Sequence, residues 1–356
     1  MSRKNRLKHD LRELVKHDIH RPFSRTRHSK NRISEKTIRD RWKFWWRLVD
    51  VLYASGLKLE KIRNFGEKHL EALFADWDRR QLRARTIQNH LPNLRYLARQ
   101  IGKQNCLEPI IEAYSERKAR EARERIDALL ASGENSPEVV DIQKGKAWGA
   151  HGVDAVCVID QIMADDSLVA LQLLLMRTFG MRVREAHRFR PSRDWQDDHI
   201  TLRSGTKGGR TRIIPVQDEE QRQLLEHARK VARQQGGSMM PERYPEKSWR
   251  SYYYSVLRRH GVTRKILGVT SHGLRHEYAQ EQYQAVADKA APVVSGAGAP
   301  WNPAEIEQDR TARLEVSAHL GHGRYDITRH YLDRMCEVGQ LRYLRRKPRC
   351  AGETRT

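Results

Sequence analysis

The sequence predicts a mainly α chain with a small β-sheet: an all-α domain followed by an α+β domain. Three observations carry that reading. Apolar residues recur at helical spacing through Ile38, Trp42, Trp45, Trp46, Val49 and Leu52. Two short β-like runs, His199–Leu202 and Thr211–Val216, flank Ser204-Gly205-Thr206-Lys207-Gly208-Gly209, a glycine-bearing hairpin turn. Helical patterns stand on both sides of that hairpin, and 356 residues suffice for about two domains of ordinary size.

Residues 1–33 hold eleven Lys/Arg against three Asp/Glu, with Pro22 and little apolar periodicity, and are expected to form a flexible basic arm. Residues 34–105 read as a helical domain. Its first helix opens at Ser34 and ends at Gly56, its second covers roughly Glu67–Arg80 with Leu70, Leu73 and Phe74 inward, and its third roughly Ala84–Ile101. Ile87, Leu91, Leu94, Leu97 and Ala98 form the inner face of the third, and Pro92 is expected to kink or split it. Residues 106–148 read as a connecting helix and linker, because charge alternates from Glu108 to Leu130 and Gly133, Pro137, Gly145 and Gly149 follow. Residues 149–356 form the second domain, with helices over about 152–164 and 166–179, the hairpin, further helices from Glu219, and a basic tail at Leu341–Arg349.

Charge narrows the partner. Lys and Arg number 68 against 45 Asp and Glu, a formal net charge of +23, which fits a densely anionic partner, with nucleic acid ahead of a membrane surface. The most apolar run, Leu168–Met176, falls far short of the roughly 20 residues a bilayer needs and reads as a buried helix. The basic N-terminus has no apolar segment behind it, so no secretory signal is expected. Cys106, Cys157, Cys336 and Cys350 are scattered without a CxxC pair, which suits a reducing cytosol and gives no zinc ribbon or disulfide framework.

Cleaving a phosphodiester takes a nucleophile, cations for the non-bridging oxygens and an acid for the leaving oxygen. The second half offers Arg182, Lys207, His272, Arg275, His322 and Tyr331. Each has a bland alternative: a helix-end arginine, a solvated turn lysine, a turn-capping histidine, a packing tyrosine. Glu185 suits the orientation of an arginine better than proton exchange. His272 and His276, four apart, have zinc-ligand spacing, but no third ligand is evident. Tyr325 competes with Tyr331 but follows His322 by only three positions.

These residues stand in boxes that resemble the tyrosine recombinases, the phage-integrase family. Gly180-Met181-Arg182-Val183-Arg184-Glu185 matches that family's Gly-x-Arg-x-x-Glu. Lys207-Gly208-Gly209-Arg210-Thr211-Arg212-Ile213-Ile214-Pro215 matches Lys-Gly-x-x-x-Arg-x-x-Pro. His272 to Arg275, with His276 next, matches His-x-x-Arg, and Leu320-Gly321-His322 with Tyr331 nine residues on matches the last box. The resemblance covers about 150–335, and more weakly the helices around Arg85-Thr86-Ile87.

The resemblance implies a C-shaped clamp on double-stranded DNA, made by a core-binding domain (34–105) and a catalytic domain (149–356), and a homotetramer on two paired sites. It implies Tyr331 as the nucleophile that forms a 3'-phosphotyrosyl link, Arg182, Arg275 and His322 on the phosphate, Lys207 as the acid, and His272 assisting proton transfer. Glu185 and His276 are supporting residues. Strand exchange would pass through a Holliday junction with neither cofactor, metal nor ATP, in the cytoplasm on the nucleoid of a bacterium or from a phage or other mobile element. A type IB topoisomerase-like enzyme that relaxes DNA, or a non-catalytic DNA-binding accessory protein of the same fold, remain the alternatives. The chain departs from the family in two places: 46 residues separate Arg275 from His322, with an insertion over 282–312, and no histidine stands two places after Tyr331.

Overall fold

The computed structural model describes residues 2–16, 35–206, 211–295, 301–322 and 325–332. Lys207, most of the N-terminal arm and the C-terminal tail lie outside these residues. The chain divides into two compact units, Met1–Gly133 and Glu134–Thr356.

The first unit is all α. Its helices are α1 (Arg3–Val15), α2 (Glu35–Ala54), α3 (Glu67–Arg79), α4 (Ala84–Gln100) and α5 (Gln104–Ala131). The helix α1 corrects the expectation of a flexible arm over its first half. Leu7, Leu11 and Val15, each four apart, make a fully buried stripe that the surrounding charge disguises, and Ser2 caps the start by accepting from Asn5 N. Cations finish the seat: Lys4 and Lys8 pair with Asp50, and the Arg12 guanidinium lies over Trp42 and Trp46 at 6.0 and 5.8 Å. Trp42 and Trp46 are therefore half-buried, stacked on each other at 5.0 Å, while Trp45 alone of the three is fully buried.

Pro92, expected to kink or split this helix, lies inside α4 without dividing it, so of the two outcomes the split does not occur. The charge-rich stretch read as a connecting helix and linker belongs, as α5, to the first unit up to Gly133, with Leu107, Ile111 and Tyr114 buried against α3 and α4. Arg117 and Lys118 are partnered: Tyr114 Oη and Arg117 Nη2 donate to the two oxygens of Asp78 at 2.9 and 2.7 Å, and Lys118 Nζ stands 3.2 Å from the same carboxylate.

The second unit is α+β. It begins with α6 (Pro137–Gln143), α7 (Ala155–Asp165) and α8 (Ser167–Phe179), the last two capped by the side chains of Asp154 and Asp166. Short helices α9 (Val183–Arg188) and α10 (Pro191–Asp194) lead into a three-stranded antiparallel sheet of β1 (Trp195–Gln196), β2 (His199–Leu202) and β3 (Arg212–Pro215), in that order. Ile200 pairs with Ile214 and Thr201 with Ile213, which puts Ile200, Leu202 and Ile214 into the core and leaves Ile213 exposed. After the sheet come α11 (Glu219–Gln234), α12 (Glu246–Arg259), α13 (His272–Ala287), α14 (Pro292–Ser295), α15 (Pro303–His319) and α16 (Arg329–Leu332). One apolar core gathers Trp148, α7, α8, the sheet, α11 and α12, and a second gathers α13 to α16. No helix among the described residues is long and apolar enough to cross a membrane.

Candidate active site

Two helix ends and one helix start meet where these cores adjoin. The helix α8 ends at Gly180, whose φ of +57° is a left-handed cap, and the chain turns at once into α9. A Cβ at Gly180 would strike the ring of Tyr278, so the position needs glycine for space as well as for conformation. The turn delivers Arg182 to the start of α9, where Glu185 accepts from Arg182 N at 2.8 Å and from Arg182 Nη1 at 2.6 Å.

Glu185 is fully buried and is the centre of the cluster. Arg212 Nη2 donates to its Oε2 at 2.9 Å, and Arg275 Nη1 stands 3.9 Å away. Burial alone would raise the Glu185 pKa, but Arg212, Arg182 and Arg275 outweigh it and hold the carboxyl below its ordinary value. The remaining donors go to main-chain carbonyls at the C-terminal ends of α8 and α15, where the helix dipoles are negative. Arg275 donates to Gly180 O and, at 2.7 Å, to Leu320 O; Arg182 Nη2 reaches the same Leu320 O at 3.3 Å; Arg212 donates to His319 O and, at 3.2 Å, to Gly180 O. Three guanidiniums thus face one carboxylate, an excess of two positive charges in a largely water-free place.

Tyr331, on α16, completes the cluster. It is 7% exposed, its hydroxyl accepts from Arg275 Nε at 3.3 Å, and the Arg275 guanidinium lies 5.7 Å from its ring centre. Three imidazoles surround that ring: His276 at 4.6 Å, His322 at 5.9 Å and His272 at 6.2 Å. His272, at the start of α13, is open to solvent on one side, yet desolvation, then Arg275, Lys146 and Arg182, push its pKa down to about 4. His276 is nearly enclosed, and burial first, then His272, Lys146 and Arg275, set it well below its ordinary value. Both rings are neutral at pH 7. Their i, i+4 spacing raised the zinc alternative, but among the described residues no group of three His, Cys, Asp or Glu side chains is placed to hold a metal ion.

The structure therefore brings Arg182, Glu185, His272, Arg275, His276, His322 and Tyr331 together, while Lys207 lies outside the described residues. It adds Arg212, which the sequence marks only as the arginine of the Lys-Gly-x-x-x-Arg box. Arg212 is buried beneath the cluster, and Gly321 makes room for it: a Cβ there, at φ +65°, would lie 2.9 Å from Arg212 Cδ. Its signal in the sequence was an arginine on the inward-facing side of a strand whose neighbours Ile214 and Val216 are apolar.

Two models of known families match parts of the chain. A model described as integrase matches residues 150–281, and a model described as phage integrase, N-terminal, matches residues 24–107. The first takes in Arg182, Glu185, Lys207, Arg212, His272, Arg275 and His276 but ends before residues 282–312, His322 and Tyr331. No curated protein matches the chain. Among solved structures, the crystal structure of XerA recombinase overlaps 97% of this chain and 100% of that one at 13% identity, but with a TM-score of 0.35 the overlap is too loose to argue from. The two integrase models between them take in more than half of the sequence, and the chain belongs to the phage-integrase, or tyrosine recombinase, family.

Proposed function

We propose that the chain is a site-specific DNA recombinase that cuts and rejoins DNA through a 3'-phosphotyrosyl link. The observation that carries this reading is the Tyr331 hydroxyl at 3.3 Å from Arg275 Nε, inside a pocket with three guanidiniums against one carboxylate. A phosphate brings the missing negative charge. Arg182 and Arg275, forked donors that stay charged at any physiological pH, take its non-bridging oxygens together with His322. Tyr331 Oη forms a bond to phosphorus as the bond to the 5' oxygen breaks. The tyrosine proton passes to His272, kept neutral by its surroundings, and Lys207 supplies a proton to the departing 5' oxygen. The phosphodiester is replaced by a phosphoester of similar energy, so a 5'-hydroxyl from another strand can reverse the step without an external energy source.

On this reading 34–105 is a core-binding domain and 149–356 the catalytic domain, both on duplex DNA, with four copies on two paired sites and strand exchange through a Holliday junction. The protein would act where its DNA is, on the nucleoid. The decisive experiment offers the protein a nicked suicide duplex. The wild type is expected to become covalently attached at a 3' phosphate, and Tyr331→Phe to bind the same duplex without attachment. Covalent trapping by Tyr331→Phe would overturn the assignment. Supercoil relaxation without pairing of two sites would favour the topoisomerase-like alternative, and binding without attachment by the wild type would favour the accessory protein.

A further inference from the structure

The helix that bears Tyr331 is only four residues long within the described chain, and such a segment has no stability of its own. Something else must hold its hydroxyl in place. Three observations converge on what does. Gln280, two turns along α13 from His272, donates from Nε2 to Tyr331 O at 3.2 Å. The inserted helix α14 packs against α16, with Ala291 and Val293 in the same apolar cluster as Tyr331 and Leu332. Gly145, at φ +84°, lies beneath both: a Cβ there would be 2.9 Å from Val293 Cγ2 and 3.6 Å from Gln280 Nε2. A bare backbone thus lets the inserted segment and the amide of Gln280 reach the nucleophile's helix from the same side.

Within itself the insertion is cross-tied. Lys289 Nζ lies 4.0 Å over the Trp301 ring and 3.9 Å from Glu305, and Asn302 and Glu305 form a reciprocal cap at the start of α15. We infer that Gln280 and Val293, seated on Gly145, are positioning residues for Tyr331, and that the insertion holds the nucleophile against Arg275 within its own subunit. The inference rests on Tyr331 being the nucleophile.

Gln280→Met keeps the volume and removes the donor, and Val293→Ala trims the contact. In full-length protein on a nicked suicide duplex, each is expected to slow covalent attachment by roughly 10- to 100-fold, the scale of a misplaced reacting group, while the affinity for that duplex stays at the wild-type value. The same two changes are then made beside Tyr331→Phe, with hydrogen peroxide supplied as an external nucleophile. Peroxide meets the arginine pocket without help from α16, so its cleavage should be untouched. Equal losses with tyrosine and peroxide would mean a general structural defect and overturn the inference, as would wild-type attachment rates in both variants. A wild type that never attaches would instead overturn the proposed function, and this inference with it.

Discussion

Two carboxylates in this molecule each gather basic side chains, and the difference between them shows what burial does to the same chemistry. In the first unit Asp78 holds Tyr114, Arg117 and Lys118, with its side chain 36% exposed. In the second, Glu185 holds Arg182, Arg212 and Arg275 with no exposure. Water and salt screen the first set, whose charges have already found acidic partners in Asp78 and Glu121. The second set cannot be screened in that way and is left with surplus positive charge. An exposed cluster stitches α3 to α5; an enclosed one keeps positive charge that its single carboxylate does not match.

Substitution at the two carboxylates should cost very different amounts. Glu185→Gln keeps the shape and leaves three guanidiniums uncompensated, so we expect a loss of about 3–5 kcal/mol, the usual cost of removing one partner of a buried ion pair, measured by urea unfolding. A smaller loss would mean that water reaches the cluster. Acid should act in the same unit. Burial first holds His187, enclosed between Trp249 and Tyr253, down to about 4. The unfolded chain, with an ordinary histidine near 6.5, binds more protons between those values, so stability is present above pH 6.5 and lost as pH falls towards 4. His187→Phe should remove roughly 3 kcal/mol of that acid dependence in urea titrations at successive pH values. An unchanged pH slope would sink this account. Smallest is Asp78→Asn, expected to cost about 1 kcal/mol or less, and less still in high salt. A loss as large as that of Glu185→Gln would erase the distinction between the two clusters.

Most of the second unit could be read in the sequence because its boxes are rigid chemical statements. The glycines of the turn between β2 and β3, the apolar run of α8 and the Leu-Gly-His box each point to one local geometry. What stayed hidden depended on partners distant in sequence. The helix α1 has an apolar stripe of only three residues among cations, and nothing local says that Trp42 and Trp46 will receive Arg12. The interior proline of α4 costs one backbone hydrogen bond, and burial of Leu91, Leu94 and Leu97 around it outweighs that loss. Glu185 as a hub and Arg212 as its buried partner need α8, α9, β3 and α15 to be assembled first. The insertion's grip on α16 passes through Gly145, a residue whose sequence context suggests only a linker.

Arg182 and Arg275 share one acceptor, the carbonyl oxygen of Leu320. The gauge between the two forks is therefore set by a main-chain atom. No side-chain replacement at position 320 can delete that atom, so drift in the sequence there can loosen packing but cannot remove the gauge. Changing it would require moving the end of α15 itself, and a change of that kind would carry His322 with it.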